Sequence, residues 1–218
     1  MTSNEIFKGA KWIECTGNDA PLFRKEFNAV KGEKAEITIC GLGFFHLYIN
    51  GRKVSEDLLT PNATNYSERD LSLLNFPLKS DLSYRIYAVK YDITDYLFDG
   101  QNTLAVMLGN GYYNQNKRMA EGNVVFGTPK LCYVIEKESG DILCDETTLT
   151  RKGYILENNL YNGEYHDYSQ YPQGFDENGY CSNDFSESTV IPAPESNFQI
   201  QFSPSDKVIR SLEPKLIK

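Results

Sequence analysis

The chain has 218 residues, a hydrophobic fraction of 40%, an aromatic fraction of 13% and a formal charge of -8. That length and apolar content suit one large folded unit and exclude a largely disordered chain. The negative charge, broken by no basic cluster, repels phosphate backbones and anionic bilayers, so neither nucleic acid nor a membrane is an expected partner.

Five cysteines, Cys15, Cys40, Cys132, Cys144 and Cys181, show no CxxC spacing and are odd in number, which argues against a zinc knuckle or a closed disulfide framework. Free buried thiols are expected. The start, Met1-Thr-Ser-Asn-Glu-Ile-Phe-Lys8, lacks the basic end and apolar run of a secretory signal, and no later window is long and apolar enough to cross a bilayer. The expectation is a cytoplasmic protein as written, or a periplasmic or secreted one if a leader has been removed.

Along the chain, Trp12-Ile13 reads as a short strand and Pro21-Leu-Phe-Arg-Lys-Glu-Phe27 as a loop and edge strand. Glu36-Ile-Thr-Ile-Cys40 alternates. In Gly41-Leu-Gly-Phe-Phe-His-Leu-Tyr-Ile-Asn-Gly-Arg-Lys-Val54, Phe45, Leu47 and Ile49 form one row and Phe44, His46 and Tyr48 the other, and Asn50-Gly51 is a hairpin pair. Residues 55 to 85 have no sustained period and hold Pro61, Asn62, Asn65 and Pro77, which predicts a long excursion between strands. Arg85 to Tyr91 alternates again, Asp92-Ile-Thr-Asp-Tyr-Leu-Phe98 suits one helical turn, and Leu104, Val106 and Leu108 make a further inward row. Lys130 to Glu136 and Asp141 to Cys144 flank a second hairpin turn at Glu138-Ser-Gly-Asp141, and Phe198, Ile200 and Phe202 give a last edge strand. No repeat and no helix beyond about two turns is predicted. The reading is all-β, a jelly-roll or galactose-binding-like sandwich.

A glycosidase ordinarily needs two carboxyl groups about 5 to 10 Å apart. Glu164 and Asp167 are the nearest such pair, and their i, i+3 spacing in an Asn/Gly-rich loop can place both in one cleft, although ordinary solvated or capping carboxylates are common in a chain with 30 acidic residues. His46 reads as a surface or interface ring, and His166, between Tyr165 and Asp167, as a loop residue able to bond a hydroxyl-rich ligand. A sugar site needs amides and carboxylates for vicinal hydroxyls and an aromatic face for the ring. Gly109-Asn-Gly-Tyr-Tyr-Asn114 and Asn158-Asn-Leu-Tyr-Asn-Gly-Glu-Tyr-His-Asp167 meet that description. The candidate ligand-binding residues are Asn110, Tyr112, Tyr113, Asn159, Asn162, Glu164, Tyr165 and Asp167. Tyr112 and Tyr113 also suit one ring in the core and one at the surface. Asn159, Asn162, Glu164 and Asp167 are oxygen donors of the kind Ca²⁺ accepts, and equally the makers of ordinary Asx turns.

Trp12-Ile, Pro21-Leu-Phe-Arg-Lys-Glu-Phe, the Gly41 to Val54 block, Leu59-Thr-Pro, Asn65-Tyr-Ser, Tyr91-Asp-Ile-Thr, Met107-Leu-Gly-Asn-Gly-Tyr-Tyr and Leu160-Tyr-Asn-Gly-Glu-Tyr-His-Asp together resemble the N-terminal β-sandwich region of bacterial α-L-rhamnosidases, of the glycoside hydrolase family 78 kind. The resemblance implies a carbohydrate-binding-type sandwich, in some members a calcium-dependent rhamnose-binding module, placed before an (α/α) barrel that carries the catalytic acids. On this basis residues 1–218 form one β-sandwich module, with a long loop or insertion around 55–85 and no barrel in the chain. The chain departs from the family in having Tyr112, Phe175 and Phe185 at or near positions where Trp is common, Asn159 and Asn162 where Asp is usual, and extra residues at about 68 to 84. The functional expectation is a non-catalytic module that binds or positions a rhamnose-containing saccharide beside neighbouring glycosidase domains. A purely structural sandwich and an independent glycosidase using Glu164 and Asp167 are the alternatives.

Overall fold

The computed structural model describes residues 1–17, 20–67, 84–115 and 124–208. A short helix, α1 (Ser3–Phe7), precedes β1 (Trp12–Glu14), β2 (Leu22–Ala29), β3 (Ala35–Leu42), β4 (Phe45–Ile49), β5 (Arg52–Lys53), β6 (Ile86–Asp92) and β7 (Gly100–Leu108). There follow β8 (Asn114–Gln115), β9 (Val124–Val125), β10 (Lys130–Lys137), β11 (Ile142–Leu143), β12 (Leu149–Arg151) and β13 (Ile155–Asn159). The last strands are β14 (Gly163–His166), β15 (Ser186–Glu187), β16 (Thr189–Ile191) and β17 (Phe198–Ile200). One sheet has the order β16-β1-β10-β3-β6-β17 with β11 added on β10, and the other β15-β12-β2-β7-β4-β5. Two short hairpins, β13-β14 and β8-β9, stand apart from both. This is the all-β sandwich expected. No helix among the described residues is long and apolar enough to cross a membrane.

Period-2 alternation sorts the side chains. Ile37, Ile39, Leu131, Tyr133 and Ile135 of the first sheet meet Phe23, Phe45, Leu47, Ile49, Leu104, Val106 and Leu108 of the second, all buried between the layers. Each such aliphatic or aromatic side chain contributes about 1.5–3 kcal/mol by leaving water. The first sheet's outer face carries Cys40, Leu42, Cys132 and Val134 and is covered by Phe7, Trp12 and Phe198, whose rings meet edge-on or tilted. On the second sheet Leu22 and Ala105 pack under Phe175 and Phe185, leaving His46, Tyr48 and Met107 only partly covered.

The hairpin at Asn50-Gly51 has φ of 52° and 76°, the double positive pair of a two-residue turn between Ile49 and Arg52. The helical turn after β6 is a 3₁₀ turn at Thr94–Tyr96. Helix α1 lies outside the sequence expectation, although Thr2 and Glu5 form a capping box. Of the long excursion, residues 55 to 67 carry no strand, and Leu58 bridges to Asp206. The insertion at about 68 to 84 lies, apart from Tyr84, outside the described residues. Cys15, Cys40, Cys132 and Cys144 are buried thiols as expected, whereas Cys181 is exposed in the loop before β15.

Candidate functional site

The two glycine motifs meet each other. Gly43, before β4, and Gly109, after β7, run backbone against backbone: the Gly109 amide donates to the Phe44 carbonyl at 2.7 Å, and a Cβ on Gly43 would lie 1.9 Å from the Gly109 carbonyl oxygen. The β13-β14 hairpin docks on this crossing through Asn158. Its Oδ1 accepts from the Asn110 amide at 2.7 Å, and its carbonyl accepts from Asn110 Nδ2 at 2.7 Å. Asn110 Oδ1 in turn accepts from Asn114 Nδ2 at 2.9 Å, so this buried side chain is a brace.

Docking the hairpin over the outer face of the second sheet leaves a cleft of about 710 Å³. The sheet supplies His46, Tyr48 and Met107, the outward row that alternates with the core row. The hairpin supplies Asn158, Asn159, Glu164 and His166, backed by Tyr154, Tyr168 and Tyr171, and Phe44, Leu58, Leu59 and Asp206 also line it. Glu164 Oε2 lies 2.7 Å from His166 Nε2, its Oε1 accepts from Asn158 Nδ2, and His166 Nδ1 lies 3.4 Å from the Tyr168 hydroxyl. Tyr154 holds that wall together, edge-on to His166 at 5.4 Å and to Tyr171 at 4.9 Å. Burial holds the His46 imidazolium below its ordinary range, helped by Lys53 and opposed by Glu164 and Glu56, so the ring is neutral at pH 7. Burial pushes the Tyr48 phenol up to about 12. The cleft therefore offers carboxylate and imidazole partners for hydroxyls beside several aromatic faces, the functional groups a saccharide uses.

Of the sequence candidates, Glu164 and Asn159 line the cleft. Asn159 is nonetheless a turn-former, its Oδ1 accepting from the amides of Tyr161 and Asn162 at 2.9 Å each, with Asn162 exposed at the hairpin tip. Tyr165 faces away from the cleft and is 62% exposed, because strand alternation turns it opposite Glu164 and His166. Tyr112 is partly exposed and edge-on to Phe44 at 5.9 Å, while Tyr113 is buried against Tyr66 and Phe126, the split of core and surface rings weighed in the sequence.

Glu164 lines the cleft and Asp167 is not among its lining residues, which fits the capping alternative weighed for such a carboxylate. An i, i+3 pair along a strand projects to opposite faces, and Asp167 instead caps the 3₁₀ turn Tyr168–Gln170, accepting from Ser169 and Gln170, whose hydrogen bonds hold its carboxyl below the usual carboxylate range. Three of the donors weighed for calcium have hydrogen-bond partners within the domain. Glu164 is engaged by Asn158 and His166, Asp167 by its turn and Asn159 by the hairpin tip. Among the described residues no three His, Cys, Asp or Glu side chains group to hold a metal. The sequence reading missed Tyr48, Met107, Tyr154, Tyr168 and Tyr171, and took His46 for a plain surface or interface ring. The alternation that put His46 and Tyr48 opposite the core row was the available signal.

Fold and cleft define a β-sandwich domain with a ligand-sized depression on one outer sheet face. The chain belongs to the alpha-L-rhamnosidase N-terminal domain family, whose sequence profile matches residues 31–210. An alpha-L-rhamnosidase of Formosa agariphila is 30% identical over 220 residues, covering 93% of this chain and 21% of that protein. Among solved structures, the alpha-L-rhamnosidase from Dictyoglumus thermophilum superposes with a TM-score of 0.77 at 26% identity, covering 95% of this chain and 24% of that one. The Streptomyces avermitilis alpha-L-rhamnosidase complexed with L-rhamnose has the same fold, with a TM-score of 0.68 at 24% identity over 84% of this chain and 17% of that one. The chain thus spans about a fifth to a quarter of the length of the first relatives it matches.

Proposed function

We propose that this domain is a non-catalytic carbohydrate-binding or substrate-positioning module of an α-L-rhamnosidase-like glycoside hydrolase, with its cleft receiving a rhamnose-containing saccharide beside neighbouring glycosidase domains. The observation that carries this is the Glu164-His166 pair, 2.7 Å apart, set among Tyr154, Tyr168 and Tyr171 in one cleft. A carboxylate that accepts two side-chain donors keeps lone pairs for sugar hydroxyls, and the tyrosine faces suit the apolar side of a pyranose. The names of the relatives, and the L-rhamnose bound in one of them, supply the sugar. Calorimetric titration with L-rhamnose and methyl α-L-rhamnoside is expected to give saturable binding, weakened roughly tenfold in Glu164→Gln by loss of about 1.4 kcal/mol of charge-assisted hydrogen bonding. Absence of heat at millimolar ligand sinks the proposal.

A structural role is favoured by a different observation. Leu156, Tyr161 and Tyr165 are 47%, 46% and 62% exposed on the β13-β14 hairpin, apolar area that a neighbouring domain would cover. That reading predicts no ligand response in the same titration.

A further inference from the structure

We infer that Asn162-Gly163, at the tip of the β13-β14 hairpin, is a site of spontaneous covalent modification: its side-chain amide is converted to a carboxylate through a cyclic imide, and the fold protects the chain's other Asn-Gly pairs from the same reaction.

Asparagine is chemically labile, and most so before glycine, which has no Cβ to hinder ring closure and torsions that adapt to the ring. Four such pairs stand in the sequence, at Asn50, Asn110, Asn162 and Asn178. In the reaction the glycine amide nitrogen bonds to the asparagine Cγ, the Cγ–Nδ2 bond breaks, and Nδ2 leaves as ammonia with the proton given up by the glycine amide. Water then adds to either carbonyl of the succinimide and opens it to aspartate or isoaspartate. Solvent is the only co-reactant. Closure needs the side chain to swing over the next amide nitrogen, so hydrogen bonds that fix the asparagine amide or engage the glycine N–H slow it.

Three pairs are fixed in this way. Asn50 Nδ2 donates to the Tyr96 carbonyl at 2.8 Å and to Asn102 Oδ1 at 2.7 Å, its Oδ1 accepts from the Thr103 amide at 2.8 Å, and the Gly51 amide donates to the Asp176 carbonyl at 2.8 Å. Asn110 is 2% exposed, with Nδ2 on the Asn158 carbonyl and Oδ1 on Asn114 Nδ2. Asn178 is exposed but tied at both amide atoms, its Oδ1 accepting from Thr103 Oγ1 at 2.7 Å and its Nδ2 donating to the Gln101 carbonyl at 3.2 Å.

Asn162 differs in its place. It and Gly163 are exposed at the turn of a two-stranded hairpin that belongs to neither sheet. Gly163 has φ +89°, and a Cβ added to it would meet nothing within 4 Å, so the imide has room. Hairpin tips of this kind open locally at little cost. The isoaspartyl product inserts a further main-chain carbon beside the turn that Asn159 Oδ1 holds, two positions ahead of Glu164, and adds a negative charge there.

The test is peptide mapping by mass spectrometry of the folded domain held for weeks in mildly alkaline buffer, alongside the same chain unfolded in guanidinium chloride. In the folded domain a gain of roughly 1 Da should accumulate at Asn162 about tenfold faster than at any other Asn-Gly pair, with isoaspartate among the products. The unfolded chain should react at all four pairs at similar rates. Asn162 unchanged in the folded domain while the unfolded chain reacts overturns the inference, as does a folded domain that reacts first at Asn50, Asn110 or Asn178. Aspartate as the sole product at Asn162 also overturns it, since that would mean direct hydrolysis without ring closure.

Discussion

Gly43 and Gly140 have nearly the same backbone torsion, φ +125° and +119°, but differ in surroundings: a Cβ on Gly43 would sit 1.9 Å from a backbone oxygen, and one on Gly140 would meet nothing within 4 Å. Substituting each by Ala therefore separates conformational strain from collision. Gly140→Ala should cost about 1–3 kcal/mol, the ordinary cost of holding an L-residue in that region. Gly43→Ala adds overpacking of roughly 1–3 kcal/mol, because the clash is with the backbone carbonyl of Gly109 and no rotamer relieves it. Urea denaturation of the pair measures the difference, and equal losses would show that the two motif loops can separate freely. The same contact accounts for the glycine spacing in both motifs, since Gly111 also lies within reach of Phe44, where an added Cβ would come 2.8 Å from its amide nitrogen. The signature residues of the chain serve the crossing on which the cleft's hairpin docks.

At the scale of elements, the cleft depends on segments without strands being held to the sheets. Arg24 of β2 is 1% exposed and its guanidinium donates to the carbonyls of Phe175 and Glu177 at 2.8 and 2.9 Å, to Ser182 Oγ at 3.1 Å and to Glu26 at 2.6 Å. It pins the loop that brings Tyr171 to the cleft and Phe175 to the sheet. Arg24→Met keeps the aliphatic stem but removes the donor to two carbonyls, which is expected to cost about 2–6 kcal/mol at about 1–3 per unsatisfied group. Limited proteolysis should then cut first between Tyr171 and Phe185, and a cleavage pattern unchanged from the parent domain argues against the clamp. These ties also mark where the sequence stopped being legible. Strands β3, β4, β6, β7 and β10 followed from alternation, and the Asn50-Gly51 turn from its residue pair, because each rule acts over a few neighbours. The Asn158 to Asn110 tether spans 48 positions, and the segment from Tyr154 to Tyr171 has no period from which to read which rings face the sheet. The i, i+3 spacing of Glu164 and Asp167 has a geometry that depends on the element, and the element is a strand followed by a 3₁₀ turn.

For the whole molecule, the aromatic content that builds the sandwich also sets its alkaline limit. Burial pushes the phenol of Tyr48 up to about 12, with Asp176 adding to it, and that of Tyr113 up to about 12, with Glu14 adding to it. Tyr66, Tyr91 and Tyr133 are raised as well, each chiefly by burial. In the unfolded chain a tyrosine ionises near about 10. A group whose folded pKa lies above its unfolded value adds stability that is complete below the unfolded pKa and disappears as pH rises toward the folded one. The buried tyrosines therefore favour the native state fully below about pH 10 and progressively less between about 10 and 12. The buried thiols act with the same sign, the Cys144 pKa standing at about 12 through burial. A chain that already carries -8 gains further negative charge over the same interval as lysines discharge, which adds self-repulsion. Ultraviolet titration of tyrosinate should show, above the ordinary tyrosine range of about 10, a second transition that coincides with loss of the near-ultraviolet dichroism of the fold. Tyr113→Phe keeps the ring against Tyr66 and Phe126 and should move that second transition to higher pH. Ionisation of all 15 tyrosines in a single step near about 10, with the sandwich still folded, would refute the linkage.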